Sequence, residues 1–199
     1  MKTGTVLDIA ERVVIAGFAI KFIWEFSQAL VTHPYNWILL LGELAAVVFI
    51  MIRKPGAVAA GAYPVAIGFL GTLLPLLVRP VGNVVGPVPL LVAMMGLGMV
   101  ISLAAKLFLN RSFGIVAANR GTKRTGPYRL IRHPMYAGYM LTQAGFLGLN
   151  FSAANLLIYV LAWTIQVLRI REEEAFLMRD AAYRDYAGSV TRRLVPGIF

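Results

Sequence analysis

Apolar residues run along the chain in long blocks, broken by short polar stretches that carry proline and glycine. Four blocks reach or approach the roughly 20 residues a helix needs to cross a bilayer. They cover 6–26, 37–52, 58–78 and 88–109. Arg53-Lys54-Pro55-Gly56 divides the second from the third, and Arg79-Pro80 with Gly82, Asn83, Gly86 and Pro87 divides the third from the fourth. Pro64 and Pro75 within the third block predict kinks. A last apolar region, 135–168, is too long for one span and is interrupted by Asn150 and Ser152. It predicts a helical hairpin with arms near 135–149 and 153–168. Arms of about 15 residues reach about 22 Å, short of a full crossing, so they are expected to pack tightly together. Gly138, Thr142, Gly145 and Leu149 share one helical face, where backbones or a flat ligand can approach closely.

Composition supports this reading. Of 199 residues, 59% are hydrophobic and 14% charged, against about 45–50% and about 25% in soluble domains. Mean hydropathy is +0.73. The expected fold class is therefore all-α. It is a polytopic transmembrane helical bundle of five or six membrane segments, the last two a hairpin, followed by a cytosolic C-terminal helix. The transmembrane helices of 1–109 and the core of 110–199 read as one folding unit. Asp8, Glu11 and Arg12 break the pattern of a cleaved signal, so the first helix is expected to be retained.

Charge then orients the bundle. The net charge is +10, which on a soluble protein would suggest nucleic acid. Here seven basic residues and no acidic one lie between Lys106 and Leu168. That bias marks a cytoplasmic loop drawn to anionic membrane lipids. The stretch lacks the interleaved aromatics of a single-strand-binding surface, so no nucleic acid partner is expected. Both termini and the basic loop fall on the cytoplasmic side of the cell membrane.

Chemistry concentrates in two strings. In Gly126-Pro127-Tyr128-Arg129-Leu130-Ile131-Arg132-His133-Pro134-Met135-Tyr136-Ala137-Gly138, Pro134 suits the first turn of a helix whose free N–H groups can seat an anion. Arg132 and His133 add a permanent charge and a titratable donor. Taken singly, each of these residues reads better as an interfacial anchor; the whole string together does not. The second string is Arg169-Ile170-Arg171-Glu172-Glu173-Glu174-Ala175-Phe176-Leu177. Three adjacent carboxylates span more than half a helix circumference, so at least one must face inward. As a bare charge run it also fits a solvated face with pairs such as Arg169 and Glu173. Elsewhere, Glu43 in the second block and Lys21 with Glu25 near the end of the first read either as interior charges that mark function or as a structural Lys21–Glu43 pair. His33-Pro34 reads as turn punctuation. With no cysteine and two histidines, no metal site, thiolate or nucleophile triad is expected.

Together the two strings resemble the C-terminal core of the isoprenylcysteine carboxyl methyltransferase and phospholipid methyltransferase families of membrane enzymes. The likeness begins at Asn110-Arg111-Ser112-Phe113-Gly114-Ile115 and passes through Gly-Pro-Tyr and Arg-His-Pro-x-Tyr-x-Gly to Glu173-Glu174-x-x-Leu177. It ends with Tyr183-x-x-Tyr186 and Arg193-Leu194-Val195-Pro196-Gly197. The spacer from Met178 to Ala182 is shorter than the family's, which bears on the register of the tail. The resemblance implies S-adenosylmethionine as methyl donor in a cytoplasm-facing pocket. It also implies a lipophilic or prenylated substrate entering from the bilayer. Cofactor-binding positions would be Tyr128, Arg132, His133, Tyr136, Ala137, Gly138, Glu173 and Glu174. Catalytic positions would be Arg132 and Arg169, available to an anionic acceptor, and Glu173. Methyl ester formation on a prenylated cysteine carboxylate is the first expectation. The alternatives are a lipid amine N-methyltransferase, a nicotinamide-dependent membrane reductase, and a lipid-binding protein without turnover.

Overall fold

A computed structural model describes residues 3–31, 33–52, 57–58, 61–112, 118–119 and 121–194. Seven α-helices carry the fold: α1 (Thr3–Ala29), α2 (Trp37–Met51), α3 (Ala62–Leu73), α4 (Val88–Leu109), α5 (Pro134–Leu149), α6 (Ala153–Leu177) and α7 (Ala181–Ser189). A two-residue antiparallel pair joins β1 (Ala57–Val58) to β2 (Ala118–Asn119). Among the described residues, three helices are long and apolar enough to cross a membrane: Pro34–Met51, Val88–Leu109 and Ala153–Leu177. Exposed Leu97, Val100 and Leu107 on α4, and Leu157 and Val160 on α6, give them the apolar outer face that lipid requires.

Helix ends follow local chemistry. Asn110 takes a positive φ of 50° and stops α4, its N–H closing on the Lys106 carbonyl. The Ser152 side chain accepts the Asn155 N–H at the start of α6, and Asp180 caps α7 through the Ala182 N–H. Pro64 sits in the first turn of α3, and Pro75 lies in the 3-10 turn that closes it. Neither proline kinks a helix interior; each falls where the missing N–H does least harm.

The expected hairpin forms, but its second arm and its packing differ from the expectation. α6 does not stop near residue 168; it continues to Leu177, and its 25 residues reach about 37 Å at the helical rise. Nor do the arms pack chiefly on each other. α5 lies mainly along α4, while α6 lies mainly along α3 and its closing turn. The small-residue face of α5 explains the choice. A Cβ on Gly138 would stand 2.6 Å from the Gly98 carbonyl oxygen and from the Ser102 amide, so α4 and α5 meet backbone to backbone. The neighbouring helix fills the face that could have taken a flat ligand.

At the hairpin turn, Asn155 donates to the carbonyls of Asn150 (2.8 Å), Arg79 (2.9 Å) and Val81 (3.3 Å), and accepts the Arg79 N–H (3.1 Å). Asn83 and Phe151 exchange both backbone bonds. Gly82, at φ 133°, passes so close to Phe151 that a Cβ would strike its carbonyl. One apolar core, around Phe22, Phe26, Met95, Phe146 and Tyr159, fills the bundle near this turn. A second, around Ile50, Tyr128, Tyr136, Tyr183 and Tyr186, lies at the opposite end.

Candidate active site

The second core sits where the start of α5 meets the end of α6. Pro134 opens α5 in its first turn, which brings Arg132 and His133 to the mouth of that helix. The overlong α6 carries Glu173 and Glu174 to the same place. Glu174 is buried, with 4% of its surface exposed. Its Oε1 accepts from Arg132 Nε (2.6 Å) and lies 3.1 Å from His133 Nε2. Its Oε2 accepts from Arg132 Nη2 (3.1 Å) and Arg193 Nε (2.6 Å). Two guanidinium groups and an imidazole thus converge on one carboxylate. Burial pulls the Arg132 pKa down, the Glu174 hydrogen bonds push it up, and the net shift is upward.

The tail locks this cluster. Arg132 Nη1 donates to the carbonyls of Val190 (2.8 Å) and Thr191 (3.0 Å). The Arg132 and His133 amides donate to the carbonyls of Arg192 and Arg193, at 2.9 and 2.8 Å. Those two amides are therefore taken by the chain itself. Tyr186 donates to the Tyr128 carbonyl at 2.7 Å and packs edge-on against Tyr183, which fixes the register of α7. Burial pushes the Tyr186 pKa up to about 12 and raises that of Tyr183.

Tyr136 is the hinge between this cluster and the bundle interior. Its hydroxyl donates to Glu173 Oε2 at 2.8 Å, its ring stacks on His133 at 5.6 Å, and the Arg169 guanidinium lies 5.3 Å from its centre. Toward the bundle interior, Tyr136 and Arg169 line a cavity between α2, α3, α5 and α6. The cavity measures about 40 Å³, room for about three waters or one small head group. Glu43, Thr72, Tyr139, Gln143 and Gln166 supply its other polar groups. Gly138 faces α4, with Ala137 partly buried beside it, so the close helix crossing accounts for that glycine.

The structure thus brings Tyr128, Arg132, His133, Tyr136, Arg169, Glu173 and Glu174 to one end of the bundle. The expected Lys21–Glu43 pair does not form. Lys21 pairs with Glu25 on its own helix at 2.8 Å. Glu43 has Lys106 as its electrostatic partner instead. Lys106 is fully buried, donates to the Gly42 carbonyl at 2.9 Å and lies over the Tyr139 ring. Nor is the glutamate run simply a solvated face, since Glu174 points inward. The sequence reading missed Arg193, Lys106, Gln143 and Gln166. A lone polar residue at helical spacing was the only signal for the last three. Of the recognised strings, Phe113, Gly114, Ile115 and Val195, Pro196, Gly197 lie outside the described residues, as does the Arg53–Gly56 break.

Residues 84–179 match the sequence model of the isoprenylcysteine carboxyl methyltransferase (ICMT) family. This stretch is an ICMT-family segment. No curated protein matches the chain. The match spans α4, α5 and α6 and bears out the resemblance drawn from the Arg-His-Pro and Glu-Glu strings. The match supports a membrane methyltransferase, in keeping with the three long apolar helices among the described residues. Glu43 and Arg193 reach the site from outside the ICMT segment.

Proposed function

We propose that the protein transfers a methyl group from S-adenosylmethionine to a lipophilic acceptor at the cytoplasmic face of the membrane. The observation that carries this reading is the convergence of Arg132, His133 and Arg193 on Glu174, directly beside the Tyr136–Arg169 cavity. The residues present fit the donor molecule. Two guanidinium groups against one carboxylate leave cationic charge for an amino-acid carboxylate. The His133–Tyr136 stack offers an aromatic face, and Glu173 offers an acceptor for hydroxyl or ammonium hydrogens. Both Glu174 oxygens already have partners, which makes Glu174 the holder of Arg132 and Arg193 in this reading.

When bound, S-adenosylmethionine supplies a methyl group already activated by sulfonium. The protein's own work is to orient the acceptor and exclude water. Tyr136 separates the two compartments, and Arg169 faces the acceptor side. A prenylated cysteine carboxylate is the acceptor to which the family name points, and Arg169 is the cation that would orient it. A lipid amine is the second reading, because Glu43 lines the same cavity. The acceptor comes from within the bilayer through the apolar flank of the helices. Five or six segments then cross the membrane, with α7 and both termini in the cytoplasm. In this division, 110–199 is the catalytic core and 1–109 the helices that complete its wall.

Calorimetric titration of the purified protein with S-adenosylmethionine and with NADPH tests the class. Binding of the first alone is expected. His133→Ala and Glu173→Ala should each weaken that binding while the protein still folds and inserts. Binding of NADPH alone, or unchanged donor affinity in both variants, would overturn the reading.

A further inference from the structure

The cavity beneath Tyr136 is lined by polar groups, one of which the protein leaves without a hydrogen-bond partner. Gln166 is 6% exposed, and its Nε2 is buried with no hydrogen-bond partner. Gln143 lines the same space, and its Oε1 accepts the Trp163 indole N–H at 2.8 Å. Arg169 adds a guanidinium. Against these donors stands one carboxylate, Glu43. Lys106 attracts it electrostatically, and among the described residues it receives no hydrogen bond. A buried donor and a carboxylate that both await partners cost free energy until something fills the gap between them.

The hydrogen-bonding character of this lining selects the guest. A carboxylate only accepts; it would suit Gln166 and Arg169 but would face Glu43 with like charge in a medium of low dielectric. An ammonium only donates; it would suit Glu43 but leave Gln166 unmatched and confront Arg169. A hydroxyl does both, giving its hydrogen to Glu43 and accepting from Gln166 and Arg169. Aliphatic alcohols are too weakly acidic to lose a proton to a carboxylate. A phenol, with a pKa of about 10, is within reach once donors stabilise its oxygen.

We propose that this cavity binds the weakly acidic hydroxyl of a lipophilic acceptor, a phenol in chemical class, and that Glu43 receives its proton. The proposal rests on the methyltransferase reading above. In the balanced step, the hydroxyl proton passes to the Glu43 carboxylate and the oxygen forms a bond to the donor's methyl carbon. The carbon–sulfur bond breaks, with its electron pair remaining on the sulfur. Glu43 returns its proton to water after product leaves. This assignment makes α2, outside the ICMT segment, the element that sets acceptor class.

The test uses the whole protein in lipid nanodiscs, without methyl donor, and three probes with the same tail: 4-dodecylphenol, dodecylamine and dodecanoate. Calorimetry should show one saturable phenol site, with affinity about tenfold above the other two, the factor expected of one unmatched buried hydrogen bond. Glu43→Gln should erase that preference and strengthen dodecanoate. Gln166→Met should weaken the phenol and leave dodecylamine unchanged, which keeps the test decisive if Glu43→Gln does not fold. With 4-dodecyl-2-nitrophenol, the phenolate absorption of the bound probe should depend on Glu43. Tighter binding of dodecanoate or dodecylamine to the wild type, indifference of the phenol to both substitutions, or no saturable site would overturn the proposal. S-adenosylmethionine titrated in parallel separates the failures: its loss defeats the methyltransferase reading, whereas its binding without phenol preference defeats only this one.

Discussion

Two carboxylates, Glu174 and Glu43, stand on either side of Tyr136 and are treated in opposite ways. Glu174 has both oxygens occupied by Arg132, His133 and Arg193, and the chain's own tail seals the cluster. Glu43 faces a cavity, with Lys106 as its electrostatic partner. A saturated buried charge specifies geometry, because every partner is fixed by it. An unsaturated one leaves a place for something else. The first belongs to the architecture of the site and the second to its selectivity.

The largest expected effect tests the saturated side. Glu174→Gln strands two guanidinium groups, one of them buried, and should lower stability by about 3–5 kcal/mol, read as a fall in the thermal unfolding midpoint in detergent. A drop below about 1 kcal/mol would show that the cluster is not a structural clamp and would erase the contrast with Glu43. Glu43→Gln gives up attraction to Lys106 rather than hydrogen bonds. Because buried Lys106 keeps the Gly42 carbonyl and the Tyr139 ring, the substitution should cost about 2 kcal/mol in the same assay, with its main effect on acceptor binding. A loss as large as that of Glu174→Gln would make both carboxylates structural.

The smallest effect lies in the tail. Tyr186→Phe removes the bond to the Tyr128 carbonyl and should cost about 1 kcal/mol at neutral pH. Because burial raises the Tyr186 pKa from 10.0 to about 12, its contribution is fully present below pH 10 and lost as pH rises through 12. The variant should therefore lose less stability than the wild type over that alkaline range, measured by unfolding at stepped pH. A parallel decline in both proteins would remove Tyr186 from the account.

Helix positions could be read closely from the chain. Apolar blocks, Pro134, Ser152 and the Asn150 break set boundaries by local chemistry that needs no tertiary partner. Helix pairing was less legible. The Gly138–Gly145 face announced a close approach without saying whether α4, α6 or a ligand would make it, since small residues permit contact but do not name it. The end of α6 was missed because charge begins at Arg169, and a hydropathy pattern cannot separate a helix leaving the bilayer from one that stops. At the site, Arg132, His133 and the glutamates stood out as a dense string. Gln143, Gln166 and Lys106 are scattered singly, and only the fold shows that the two glutamines share a cavity and that Lys106 answers Glu43.

The bonds from Arg132 and His133 to Arg192 and Arg193 have a consequence for biogenesis. The helices of the ICMT segment emerge from the ribosome before the residues that fasten them. During that interval the Arg132–Glu174 pair stands without its second guanidinium and its backbone clasp. Assembly of the site therefore waits on synthesis of the stretch that carries Arg192 and Arg193.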